Sequence, residues 1–204
     1  MTIQQLNKEL GNIDIYLLDQ ILKGRFPEDF KIMDAGCGEG RNLIYFLNNK
    51  FEVYGLDKNP SAIRMLQFVA QTLNPGISRQ NFVIGSLESI PFPNDFFNTI
   101  ICSAVLHFAD NLESFFLMWK ELFRLLKSEG ILFVRMASNF GAEATIQFNP
   151  DQKAFLPDGS FKFLLSRDIL KTLESEFDFT YLEPVKTVNV QDQRLMTTLV
   201  LQKN

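Results

Sequence analysis

Apolar positions along this chain recur with two periods in turn. Ile13, Tyr16, Leu17 and Ile21 stand at helical spacing and predict a helix within residues 3–23, with Gly24 as its stop. Lys31–Ala35 is a short apolar run that reads as a buried strand. Gly40–Asn49 returns to helical spacing through Leu43, Phe46 and Leu47, and Phe51–Asp57 is strand-like again. Asn59 is placed to cap the next helix, with Pro60 at its first position, where a missing N–H costs nothing. Ile63, Leu66, Ala70 and Leu73 form its apolar stripe, and Asn74-Pro75-Gly76 closes it.

Asn81–Gly85 and Phe97–Ser103 read as third and fourth strands. Asp110 with Glu113 has the spacing of a capping box, opening a long helix. That helix carries Leu112, Phe115, Phe116, Trp119, Leu122, Phe123 and Leu126. A turn at Lys127-Ser128-Glu129-Gly130 leads into a strand at Ile131–Met136. Residues 139–165 show neither period, Ser166–Glu176 is helical, and Phe177–Val188 and Leu195–Gln202 read as a closing pair of strands around Asn189–Gln193.

Strand–helix alternation with short connections predicts a doubly wound α/β fold, a mostly parallel sheet covered on both faces. The two late strands, with no long helix between them, predict an antiparallel addition at one edge. Ligands of such sheets bind outside the carboxyl ends of the strands. The residues just after the first four strands are therefore the candidate site.

Length and charge narrow the function. The 204 residues suit a single domain, 1–204. Its expected parts are a helical cap at 1–29, a binding core at 30–137 and a substrate-side segment at 138–204. Aromatic content is dominated by Phe, 21 copies against 4 Tyr and 1 Trp, which suits packing rather than base stacking. With a net charge of −4 and no dense Lys/Arg run, a nucleic-acid partner is not expected. Cys37 and Cys102 are too few for a disulfide framework, and with a single His they do not suggest a metal site. No signal-like start or spanning apolar run is seen, so the expectation is a cytoplasmic protein, off the membrane, as a monomer or homodimer.

After the first strand stands Asp34-Ala35-Gly36-Cys37-Gly38-Glu39-Gly40-Arg41-Asn42. Its glycines suit a tight turn close to a ligand, and a following helix start would offer free N–H groups. Asp34 is placed to pair with a ligand ammonium. Asp57, after the second strand, can accept hydrogen bonds from ribose hydroxyls. A nucleoside carrying a cationic amine fits both. A dinucleotide fingerprint needs a third glycine at its sixth position, and counting from Gly36 that position is Arg41. Asp34 would also repel a pyrophosphate, so an NAD(P)-dependent oxidoreductase is the weaker alternative.

These residues resemble class I S-adenosylmethionine-dependent methyltransferases. Ile32–Gly40 looks like their first motif and Val53–Asp57 like the acidic second; Ile90-Pro91-Phe92, Phe96–Ser103, Leu106-His107 and Leu125–Leu132 resemble later ones. Gly40-Arg41-Asn42 followed by Asp57-Lys58-Asn59 resembles the small tellurite-resistance type. The resemblance implies a seven-stranded Rossmann-like sheet whose last strand is antiparallel. It implies S-adenosylmethionine as cofactor and methyl transfer to a small-molecule acceptor; a non-catalytic binding protein would share the same residues.

Carried over by position, the methionine part falls to Asp34 and the backbone of Gly36, Gly38 and Gly40; Cys37, which needs only to be small there, and Asn42 complete the cofactor-binding turn. The ribose falls to Asp57. The adenine falls to Lys58 and to Ser86, which stands where the family usually has an acidic residue, with Glu88 placed to compensate; Leu87 beside it completes the cofactor-binding set. Ser103, Ala104 and Leu106 fall beside the methyl donor. His107 falls on the substrate side as the candidate base. The nucleic-acid amino-methyltransferase tetrad is absent at Ser103–His107. Part of 139–165 is expected to cover the acceptor.

Overall fold

Lys31–Ala35 forms an inner strand, β1, flanked on both sides by parallel neighbours. The computed structural model describes residues 2–204. Before β1 come helices α1 (Ile3–Leu10) and α2 (Ile15–Leu22). After it follow α3 (Ile44–Asn48), β2 (Glu52–Asp57), α4 (Pro60–Leu73), β3 (Phe82–Ile84), β4 (Phe97–Ser103), α5 (Leu112–Leu125) and β5 (Leu126–Ala137). The chain ends with β6 (Lys153–Phe155), β7 (Phe161–Phe163), α6 (Arg167–Glu176), β8 (Phe179–Tyr181), β9 (Lys186–Val190) and β10 (Arg194–Lys203).

The sheet runs β3-β2-β1-β4-β5-β10-β8. Its first five strands are parallel and β10 is antiparallel to β5, as expected. An eighth strand is added to the expected seven. β8 and β9 pair with successive stretches of β10, Leu201–Lys203 and Arg194–Thr198. Pro184 stands in the gap between them, where it cannot donate to a ladder. The expected run Phe177–Val188 is thus one edge strand broken in two.

Period-two alternation along β1 sends neighbours to opposite faces. Met33 joins Phe115, Trp119 and Leu122 of α5 and Leu173 of α6. Ile32 joins Leu17 of α2, Phe46 of α3, and Ile63, Leu66 and Ala70 of α4. Both faces are therefore covered, which is what near-continuous apolar strands require.

Several local expectations need correction. The helix at 3–23 is two helices, broken at Gly11 with φ +60° and restarted by Asp14, whose side chain accepts from the Tyr16 N–H at 2.9 Å. The helix at Gly40–Asn49 is reduced to α3, because residues 40–43 remain in turns. The cap of α5 is Asn111, not Asp110: Asn111 Oδ1 accepts from the Ser114 N–H at 2.9 Å. Residues 127–130 lie within β5, as an irregularity in its pairing with β4, with Glu129 at φ +61°. Within 139–165 the β6–β7 hairpin forms a second, two-stranded sheet. Among the described residues, no helix is long and apolar enough to cross a membrane.

A methyl group on Gly40 would lie 2.3 Å from Leu66 Cδ1, at φ +86°. We expect Gly40→Ala to cost about 1–3 kcal/mol through overpacking. That is a fall of roughly 3–10 °C in Tm for a domain of this size, read by calorimetry. An unchanged Tm would show that α4 yields freely.

Candidate active site

Parallel pairing sets the carboxyl ends of β1, β2 and β4 side by side: Asp34 is opposite both Gly55 and Ile101. The turn leaving β1 is tied to β2. The Gly36 and Cys37 N–H groups both donate to the Leu56 carbonyl, at 2.7 and 3.0 Å. The Gly38 N–H donates to Asp57 Oδ2 at 2.8 Å, and the Gly40 N–H to the Cys37 carbonyl at 2.9 Å. The glycine N–H groups are thus consumed inside the protein. They are not free donors for a ligand, and no long helix starts there to add any. What the glycines supply is room: a Cβ on Gly36 would sit 2.4 Å from Val105 Cγ2. The Cys37 side chain is core, and burial raises its thiol pKa.

Asp57 is held by two backbone groups, the Gly38 N–H on Oδ2 and the Asn59 N–H on Oδ1 at 2.9 Å. Each oxygen keeps further acceptor capacity. Gly36, Asp57, Lys58, Ser86, Leu87 and Ala104 meet around one cavity of about 380 Å³, within the range of ligand sites. Glu88, Asp110, Val105, Phe108 and Met118 complete much of its wall. Ser86 Oγ accepts from the Glu88 N–H at 3.3 Å. Glu88 Oε1 accepts from Ser114 Oγ at 2.6 Å, so a carboxylate does stand beside Ser86. Three carboxylates against Lys58 make this an acidic cavity.

Asp34 lies behind that wall, 1% exposed, with Oδ2 lacking any hydrogen-bond partner. Burial raises its pKa to about 7; Arg41 opposes the rise and Asp57 adds to it. Asn42, Ser103, Cys37, Gly38 and Gly40 also stand outside the cavity wall. The first two belong to a network that sequence reasoning missed. Its centre is the buried Asp14 carboxylate. Asp14 Oδ2 accepts from Ser103 Oγ at 2.9 Å and from Arg135 Nη1 at 3.4 Å, and lies 4.0 Å from Arg41 Nη2. The Asp14 N–H donates to Asn42 Oδ1 at 3.1 Å. The available signal was Asp14 directly before an apolar helical run, the position of a cap.

A second cavity, about 410 Å³, shares Ala104 and Phe108 with the first. Arg135, Lys162, Arg194 and His107 line it, with Asp158, Leu156 and Ser160 from the β6–β7 hairpin. Of the Phe residues in 139–165, Phe163 is core, stacked on Phe115 at 4.9 Å, whereas Phe155 and Phe161 pair with each other at 4.6 Å. His107 does not suit the role of base. Its Nδ1 accepts the Ala137 N–H at 3.3 Å. Burial, with Lys162, Arg135 and Arg194 nearby, lowers its pKa to about 4. At neutral pH the ring is neutral with its proton on Nε2, a donor.

Residues 33–134, half of the chain, match the methyltransferase-domain family model. Over 103 residues the chain is 30% identical to the uncharacterized methyltransferase YcgJ of Bacillus subtilis. That alignment covers 50% of this chain and 38% of the relative, so the chain spans less than half of that relative's length. In three dimensions it resembles the PH0226 protein of Pyrococcus horikoshii, with TM-score 0.70, 16% identity, and 93% and 89% of the two chains covered. It also resembles an S-adenosylmethionine-dependent methyltransferase of Methanosarcina mazei, with TM-score 0.66, 21% identity, and 90% and 96% covered. The chain belongs to the methyltransferase-domain family.

Asp34 generates a pH prediction. Its folded pKa, about 7, lies above the ordinary 3.8, so between those values the folded chain holds a proton that the unfolded chain has released. Stability attributable to Asp34 therefore falls as pH rises through that window and is level above it. Denaturant titrations of wild type and Asp34→Asn should show wild type losing ground to the variant between pH 5 and 8. A constant difference would place the folded Asp34 pKa below this range, near its ordinary value.

Proposed function

We propose that the acidic cavity binds S-adenosylmethionine and that the chain transfers its methyl group to a small-molecule acceptor seated in the adjoining cavity. The observation that carries the reading is Asp57: a carboxylate on the cavity wall, fixed by two backbone N–H groups and still able to accept from two ribose hydroxyls. Asp34 supports it. A buried carboxylate oxygen without a partner, two residues before Gly36, is matched by a ligand ammonium. The Lys58, Ser86, Leu87 and Glu88 wall would take the adenine, with the Glu88 carboxylate as acceptor beside Ser86. Gly36 and Ala104 would border the methyl donor. Cys37, Gly38, Gly40, Asn42 and Ser103 act by shaping the turn and holding its supports.

When bound, the cofactor supplies a methyl group on a positively charged sulfur. The protein's part is position and exclusion of water, and proximity alone is worth roughly 7–11 kcal/mol. Residues 138–204 form the acceptor side in this reading, through Lys162, Arg194 and the hairpin. Residues 1–29 cap the core through Asp14.

S-adenosylhomocysteine at about 100 times its Kd should raise stability by ~2.7 kcal/mol, a shift of roughly 5–10 °C. Calorimetry should find Asp57→Ala binding it about 10- to 150-fold more weakly, the range for hydrogen bonds to a charged group. Unchanged affinity would remove Asp57 from the ribose.

At about pH 6, binding should release close to one proton, because an ammonium favours the ionised Asp34. The release is read from binding heats in buffers of different ionisation enthalpy and should vanish in Asp34→Asn. Equal release by both proteins would assign the proton elsewhere.

A further inference from the structure

Arg135, Lys162 and Arg194 come from β5, β7 and β10, yet line one cavity that a chain of net charge −4 does not otherwise require. We infer that the acceptor is a small organic oxyanion held among these three cations, and that its own charged oxygen receives the methyl group. The inference rests on the adjoining acidic cavity being the cofactor site.

The cations are incompletely neutralised. Arg135 shares Asp14 with Ser103 and Arg41, and its Nε is buried without an acceptor. Arg194 lies 3.9 Å from Asp158, the one carboxylate on the cavity wall. Lys162 has no carboxylate within 4.0 Å among the described residues; its Nζ sits 3.8 Å over the Phe108 ring. A cationic amine would be repelled here, and a neutral acceptor would leave these charges unanswered. Phe108 lines both cavities, so Lys162 is at their junction.

The cavity also lacks a base. His107 presents Nε2–H, because Nδ1 is occupied by the Ala137 N–H. Asp158 takes hydrogen bonds from the Ser160 hydroxyl and N–H, which hold its pKa below the usual value and make it a weak proton acceptor. An acceptor that arrives as an anion needs no base, and opposite charges favour its ionised form. The step then balances without a proton. A lone pair of the oxyanion forms the O–CH3 bond. The S–CH3 bond breaks, and its electron pair returns to sulfur. Anion and sulfonium become a neutral methyl ester or ether and a neutral thioether.

The test uses the full chain saturated with S-adenosylhomocysteine. Benzoate, salicylate and hexanoate are each compared with the corresponding primary amide by calorimetry, in wild type, Lys162→Ala and Arg194→Gln. At least one acid should bind about tenfold more tightly than its amide, a difference of ~1.4 kcal/mol. That advantage should shrink between about 50 and 500 mM salt and be lost in Lys162→Ala. With methyl-labelled S-adenosylmethionine, the same acid should yield a methyl ester or ether. Acids that bind no better than amides, or an advantage that survives both substitutions, would overturn the inference. The S-adenosylhomocysteine titration separates the two failures. If it does not bind, the cofactor reading is wrong; if it binds and the acids show no preference, only the oxyanion assignment is wrong.

Discussion

A single buried carboxylate ties the candidate site together. Asp14, 4% exposed, joins α2 through its carboxylate to the end of β4 at Ser103 and to β5 at Arg135, and through its backbone N–H to the first turn at Asn42. Removing a carboxylate from water costs several kcal/mol, and the cost is offset only where charged and polar partners close around it. Here the partners come from elements scattered along the sequence, so the offset exists only in the assembled fold. The N-terminal segment is therefore part of the site's framework. Tyr16 adds to this, since the Arg135 guanidinium lies 5.2 Å from its ring centre and is held from two directions.

With Arg135 fixed, charge separates across the site. Asp57, Glu88 and Asp110 line one cavity, whereas Arg135, Lys162 and Arg194 line the next. Opposite potentials in neighbouring cavities sort two ligands of opposite charge without relying on shape alone. A cationic cofactor and an anionic acceptor would each meet the wall that favours it, and each would be disfavoured in the other's place. The same arrangement explains why His107 stays neutral. Three cations and burial both act against an imidazolium, whatever the ring's helical-turn position suggests.

The fold was legible wherever a pattern was local. Strand β1, the Asn59–Pro60 helix start, the α5 stripe and the antiparallel ending all follow from periodicity and turn chemistry. The place of Asp57 on the cavity wall was legible too, since the carboxyl end of a parallel strand opens on the crevice where ligands bind. Reading failed where tertiary contacts overrode a local signal. Asp110 and Glu113 have capping-box spacing, yet Asn111 takes the cap. The glycine turn suggested free N–H donors, but Leu56, Asp57 and Cys37 consume them, the first two pairings depending on β2 lying alongside. Asp14 and Lys162 reach the site only through folding, from residues 20 before Asp34 and 55 after His107 in the sequence. Position alone could not associate them with either cavity.

The seam between the cavities shows how one backbone choice can set both. Ala104 has φ +64°, a left-handed conformation that costs a non-glycine residue roughly 1–2 kcal/mol. It directly follows β4, and its N–H donates to the Arg135 carbonyl at 2.7 Å. The reversal sends Val105 against Gly36, where a Cβ would clash, and carries Phe108 to the partition between the cavities. Arg135 is thus anchored twice, by main chain to Ala104 and by side chain to Asp14. Relaxing Ala104 would release Val105 from the first turn and Phe108 from Lys162 together. The strain at this residue is retained because the acidic cavity, the basic cavity and the wall between them all rest on the same reversal.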